Sequence, residues 1–235
     1  MKFSRLLMLF LILTACQKDN KTIVFSEVNI LNEDTAVIEI NMPKAEAEEE
    51  IASKINRKLN DFVSDALHIE TEKQKKETIE ESIQAFKDAY RNFNTLISEE
   101  LENELPVWEA LIDGEVIYNK ENIICIAMNA SINTGAANTS MVFRFLNFNP
   151  KTGDLLTNKD LLTNEVEFTA LVEKYYTEKT NTSYINKDTF SLPNALGFTE
   201  DGVIILYDNF NLGAFEKEII EFTIPYSEAN DYLKI

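Results

Sequence analysis

The chain is short of the residue types that usually announce a reaction or a covalent framework. Its 235 residues include one histidine, two cysteines, six glycines, five prolines and one tryptophan. A Ser-His-Asp triad would need His68 as its base, and no serine sits in a nucleophile-elbow setting. Glu70 and Glu72 lie near His68, but the spacing is not a metal-ligand pattern such as His-Glu-x-x-His. His68 reads instead as a helix-terminal histidine facing the helix dipole. No metal, cofactor or catalytic residue is expected. Cys16 and Cys125 are too few for a disulfide framework. Lysine and arginine are also scarce, 22 against 40 acids, for a net charge of −18. That balance excludes nucleic-acid binding, which needs clustered bases to release counterions. It also disfavours lying flat on an anionic bilayer.

What the chain does have begins at its N-terminus. Lys2 and Arg5 precede an uninterrupted apolar run, Leu6 to Leu13, which ends in Thr14, Ala15 and Cys16. This order of basic, apolar and small residues reads as a signal peptide over residues 1–15. The run is far shorter than the roughly 20 residues that span a bilayer. Leu13-Thr14-Ala15-Cys16 resembles the bacterial lipobox, whose cysteine is acylated with chains of the palmitate kind and becomes the mature N-terminus. Two acyl chains anchor stably where one is marginal. Residues 16–21 are then the lipidated cysteine and a tether. Gln17-Lys18-Asp19 resembles the stretch that follows the acylated cysteine in surface-exposed lipoproteins of Bacteroidetes-type bacteria. The expected location is the cell envelope, on the outer membrane, with outward exposure left open. Removal of residues 1–15, which carry two bases and no acid, takes the net charge from −18 to −20.

Hydrophobic residues make up 45% of the chain, enough for a core despite the charge. The remaining pattern is α+β: antiparallel sheets with packed helices, in two small domains, 22–105 and 106–235. "TIVFSEVNI" and "TAVIEINM" predict a strand pair, after which Pro43 stops the second strand and opens a helix. Ile51, Ile55, Leu59, Phe62 and Val63 recur at helical spacing. Thr71 and Gln74 fit a capping box ahead of a second helix. Its stripe of Ile79, Ile83, Phe86, Tyr90, Phe93, Ile97 and Leu101 reads as a core face. Beyond Pro106 the chain is strand-rich, with a strong turn over Asn149-Pro150-Lys151-Thr152-Gly153-Asp154. Short helices follow near 158–162, 165–176 and the C-terminus. Cys125, within "IICIAM", reads as a small buried hydrophobe.

Three features taken in order resemble a known family: the Asn147–Gly153 turn followed by Leu161-Leu162, Thr199-Glu200-Asp201-Gly202 before a strand, and Ile224-Pro225-Tyr226-Ser227. Over residues 105–235 the chain resembles the C-terminal domain of unknown function of the anti-sigma factor RsiV, found also beside the catalytic module of the deacetylase PdaC. Residues 22–105 look like the PdaC-type companion domain that precedes it. The resemblance implies an extracytoplasmic, non-catalytic α+β binding module, since the RsiV relative recognises lysozyme through its outer domain. The family's Thr-Gly-Gly-Ala-His stretch reads Thr134-Gly135-Ala136-Ala137-Asn138 here, without the second glycine or the histidine.

Two loops are the candidate ligand sites. One holds Asn133, Thr134, Gly135 and Asn138; the other holds Tyr207, Asp208, Asn209 and Phe210. Small polar residues beside aromatics suit a protein or glycan surface. Asp154, Asp201 and Asp208 lack EF-hand spacing and read as solvated turn acids. The function expected is a lipid-anchored envelope binding or sensing module. Its partners are the membrane through its lipid and either a cationic, lysozyme-like protein or peptidoglycan. The alternative is a carboxylate-dependent enzyme acting on envelope glycan.

Overall fold

A computed structural model describes residues 22–69, 78–98, 106–135, 139–180, 190–208 and 219–235. Six strands form the larger sheet in sequence order: β1 (Val24–Asn32), β2 (Val37–Glu46), β3 (Glu109–Asn119), β4 (Ile124–Asn133), β5 (Ser140–Phe148) and β6 (Leu155–Leu156). Neighbours pair antiparallel except β2 and β3, which run parallel with Val37 opposite Glu109 and Asn41 opposite Asp113. A parallel pair needs a long crossover. Here that crossover contains α1 (Glu49–Ala66) and α2 (Ile79–Ser98). A second, three-stranded antiparallel sheet comprises β7 (Gly197–Phe198), β8 (Gly202–Asp208) and β9 (Ile219–Pro225). The helices α3 (Asn158–Leu161) and α4 (Glu165–Thr180) precede it, and α5 (Tyr226–Ala229) follows.

The expected α+β class is therefore found. The composition shift at Pro106 marks the return from the crossover helices into the sheet, and the strands on its two sides share that sheet. One expectation is corrected: β2 does not stop at Pro43 but runs on to Glu46. Its pairing with β3 ends at Asn41, so Pro43 sits where β2 has only β1 beside it. The helix then begins at Glu49 rather than at the proline. The capping box expected at Thr71 and Gln74 lies outside the described residues. At the start of α2, Thr78 Oγ1 accepts from the Glu81 backbone N–H (3.1 Å), and the Thr78 N–H donates to Glu81 Oε2 (3.3 Å).

Two cores lie on opposite faces of β4. Strand periodicity sends Ile124, Ile126, Met128, Ala130 and Ile132 to the face that meets α1 and α2. There they pack with Ile38, Ile40, Ile55, Leu59, Phe86 and Ile112. The helical stripe is a core face at Ile79, Ile83, Phe86 and Tyr90; Phe93 is exposed, Ile97 is half-buried, and Leu101 lies outside the described residues. The tryptophan, Trp108, closes this core with its ring centroid 5.6 Å from Phe86 and 5.5 Å from Tyr90. On the other face Ile123 and Cys125 join Phe168, Val172 and Tyr176 of α4 and the inward residues Val203, Ile205 and Tyr207 of β8.

Cys125 is fully buried with no disulfide partner among the described residues, and its sulfur accepts from the Phe198 backbone N–H at 3.4 Å. Burial pushes the thiol up to about 12, opposed in part by that hydrogen bond. A thiol so placed is inert. In a chain beginning at Gln17, where Cys125 is the remaining thiol, it is expected to resist a disulfide reagent in native buffer and react at once in denaturant. Rapid stoichiometric reaction in native buffer contradicts this placement.

The turn between β1 and β2 is tied to α2 by Asp34, which accepts from the buried Lys87 ammonium at 2.7 Å. That hydrogen bond is the main cause holding the Asp34 carboxyl below its ordinary value. A depressed folded value stabilises above the unfolded value, about 4, and the gain is lost as pH falls through the lower folded value. Protonation also relieves acid repulsion across the whole chain, so the raw pH curve is mixed. The melting-temperature difference between the wild type and Asp34→Asn isolates the pair: it is expected to be clear at pH 7 and to close as pH drops below about 4. A difference independent of pH removes Asp34 as its source.

Candidate functional site

The residues behind the family resemblance turn out to be structural. In the Asn149–Asp154 turn, Gly153 has φ +71, and an added Cβ would lie 2.7 Å from the Ile51 carbonyl oxygen of α1. Lys54 of α1 grips the same turn through Asp154 Oδ1 (2.9 Å) and the Thr152 carbonyl (3.1 Å). Asp154 is thus paired rather than merely solvated, and Lys54 holds its carboxyl low. Thr199-Glu200-Asp201-Gly202 and Ile224-Pro225-Tyr226-Ser227 meet at one corner. Gly202 lies opposite Pro225, and the Tyr226 hydroxyl donates to the Thr199 carbonyl at 2.9 Å. Lys120, in the β3–β4 turn, adds an ion pair to Glu200 at 2.6 Å. The first motif thus fixes the β5–β6 turn on α1, and the Lys120–Glu200 pair ties the corner of the second sheet to the first.

Of the candidate loop residues, Asn138, Asn209 and Phe210 lie outside the described residues, as does the lipidation candidate Cys16. Asp208 ends β8. Asn133 ends β4, where its Oδ1 accepts from the Gly135 N–H at 3.0 Å and its amide donates to Glu109 at 3.5 Å. Thr134 follows it, half-buried. Tyr207 belongs to the second core: it is 3% exposed, packs its ring against Tyr176 and Phe190, and donates its hydroxyl to the Ser191 carbonyl at 2.9 Å. Alternation along β8 sends it inward with Val203 and Ile205. Tyr207 thus sits in the second core, whereas Asn133 closes the first sheet beside Glu109.

The feature that stands out lies mid-strand. Among the described residues, the face of the larger sheet away from α1 and α2 is covered by the second core only at one end. Across the rest, register aligns Asn29, Asn41, Asp113, Asn129 and Phe143 in a single row over five strands. Asn41 donates to Asp113 at 3.4 Å and to Glu39 at 2.9 Å. The neighbouring row reads Leu31, Glu39, Leu111, Ser131 and Met141, with Leu31, Leu111 and Met141 exposed. Glu39, Glu109, Asp113 and Glu115 make this face acidic.

The polar row runs into a cleft of about 250 Å³. One wall is Ala127, Asn129, Phe143 and Phe145 of the larger sheet. The other is the outward face of the second sheet, Leu206 and Glu221, with Pro193, Asn194 and Ala195 at the side. Arg144 also lines it and donates to the Phe143 carbonyl at 2.8 Å. The sheets come together where Asn147, almost fully buried, donates to the Leu196 carbonyl at 2.7 Å, and they splay apart beyond it. Asn133 lies four residues past Asn129, roughly 13 Å along β4. The signal that could have found this site was the alternation of Ala127, Asn129, Ser131 and Asn133 in "IAMNASIN". Among the described residues no group of three or more metal-ligating side chains is placed to hold a metal.

This architecture, a six-stranded sheet with a helical crossover and a clamped three-stranded sheet, defines an α+β protein with one open sheet face. It is the fold of the DUF3298 proteins. The structure of a DUF3298 family member from Bacteroides fragilis superposes with a TM-score of 0.67 at 14% identity, covering 91% of this chain and 94% of that one. A DUF3298 family protein from Pseudomonas aeruginosa gives 0.58 at 16% identity, covering 90% and 93%. Residues 31–140 match the family model described as Deacetylase PdaC, a match that runs through Pro106 as the larger sheet does. No match was found among curated proteins.

Proposed function

We propose that the chain is a lipid-anchored binding module of the cell envelope, and that the open face of its larger sheet is the ligand surface. The row Asn29–Asn41–Asp113–Asn129 carries this reading. Asparagine and aspartate are depleted in strands, and four of them in register across four strands serve no core. A sheet that tolerates such a row on its solvated face uses it for contact. The lipobox-like Leu13–Cys16 supports the anchor, and among the described residues no helix is long and apolar enough to cross a membrane. The RsiV resemblance and the acidic face support a cationic protein of the lysozyme kind as one ligand, and the amide-rich row supports cell-wall glycan as the other.

The test uses the chain from Gln17 onward, which keeps every described element. It is incubated with insoluble peptidoglycan and, separately, with immobilised lysozyme. Retention by one of the two, with at least a tenfold loss for Asp113→Ala combined with Asn41→Ala, is the expected result. Failure of both ligands overturns the proposal. Release of soluble fragments or acetate from the peptidoglycan replaces it with an enzyme.

A further inference from the structure

We infer that the cleft between the two sheets is a subsite for a single pyranose ring. This narrows the ligand of the binding module proposed above and rests on that reading.

The cleft has one apolar wall and a polar rim of mixed character. Phe143, Phe145 and Leu206 supply the wall, and both phenylalanines are half-buried in it. The C–H face of a sugar ring packs against such a surface, burying apolar area without losing its equatorial hydroxyls to the interior. The rim carries the Asn129 and Asn194 amides and the Glu221 carboxylate; Arg144, in register with Met128, belongs to the other face of β5 and reaches the cleft with its backbone. Among the described residues the Asn129, Asn194 and Glu221 side chains make no hydrogen bond to the protein, and all three line the cleft.

An amide both donates and accepts, and a carboxylate only accepts. Hydroxyl groups, which do both, match that mixture. An anionic ligand would meet Glu221 and the acidic row that begins at Asp113. A cationic one would leave the amide donors of Asn129 and Asn194 unused. The volume, about 250 Å³, falls below the roughly 300–1,000 Å³ of pockets that enclose drug-sized molecules, which leaves room for one ring. The cleft opens onto the Asn129–Asp113–Asn41 row, so further residues of a chain could extend along the open face.

The probes are the methyl glycosides of N-acetylglucosamine, glucose and mannose, titrated against the Gln17–Ile235 chain by saturation-transfer and chemical-shift NMR. One of them is expected to bind with a Kd of about 1 mM, the strength of a single-ring contact, unchanged between low and high salt. Glu221→Gln, on an exposed strand position, and Phe143→Leu, which keeps apolar volume but removes the ring, are each expected to weaken binding about tenfold or more. No transfer from any glycoside, or transfer undiminished in both variants, overturns the assignment. Methylammonium, run in parallel, tests a cation site: binding that disappears with salt and with Glu221→Gln, without glycoside binding, assigns the cleft to an ammonium group and also overturns it. Should peptidoglycan or lysozyme be retained and lost with the Asp113 and Asn41 variants while no glycoside binds, the open-face reading stands and the sugar subsite alone falls.

Discussion

Replacing Gly202 with alanine is expected to cost about 3 kcal/mol, combining backbone strain with overpacking. Gly202 opens β8 with φ +156, a region essentially restricted to glycine. Its α-hydrogen faces the neighbouring strand: an added Cβ would stand 2.2 Å from the Ile224 carbonyl oxygen and 2.9 Å from Pro225 Cα. Every nearby atom is backbone, so no side chain can swing aside to relieve the contact. β9 would have to move, and with it the corner where Tyr226 donates to the Thr199 carbonyl. For a domain of this size the loss corresponds to a fall of about 6–12 °C in Tm. Calorimetry on the Gln17–Ile235 chain reads it directly, and a midpoint within 2 °C of the wild type, with wild-type cooperativity, would falsify the close approach (~2 °C being under 1 kcal/mol).

Truncating Phe86 to alanine is expected to cost about 3–5 kcal/mol, the usual range for emptying a buried aromatic site. Phe86 is 0% exposed and meets Trp108 edge to face. The protein holds one tryptophan, so its fluorescence reports on the first core alone. That makes a coupling test possible. β4 walls both cores, with Ile124 and Ile126 on one side and Cys125 on the other. Loosening the second core through Gly202→Ala should therefore lower the unfolding midpoint of Trp108 as well. The expected outcome is one denaturant transition, coincident by tryptophan fluorescence and circular dichroism, shifted down in both variants. A Trp108 midpoint that stays put in Gly202→Ala, while the dichroism midpoint falls, shows two independent bodies and contradicts the shared strand.

Much of the fold is legible in the sequence. The stepping of Ile79, Ile83, Phe86 and Tyr90 identified a core face because a helix returns to the same side every 3.6 residues. The burial of Cys125 followed from its apolar run. The Asn149–Asp154 turn was readable from proline and glycine alone, although its docking on α1 was not. The site was less legible. Attention went to loops, where small polar residues gather, whereas the cleft is built from mid-strand positions. Asn129 and Phe143 are neighbours only through the β4–β5 register, and Leu206 and Glu221 reach them because the second sheet is held to the first at Asn147 and Glu200. Tyr207 belonged to a plausible loop until alternation along β8 turned it inward.

The division has a physical cause. A sequence by itself determines which side of each element is apolar, because that is a matter of local period, 2 in a strand and 3.6 in a helix. It determined the α+β class, the core face of the second helix, the Asn149–Asp154 turn and the acid excess. It did not determine which strand lies beside which. Only the tertiary structure placed β2 parallel to β3 across the crossover, carried one sheet through Pro106, and brought residues 129, 143, 194 and 221 to one cleft. Pairing is decided by competition among many apolar faces for the same partners, and that competition is settled only when the whole core is packed.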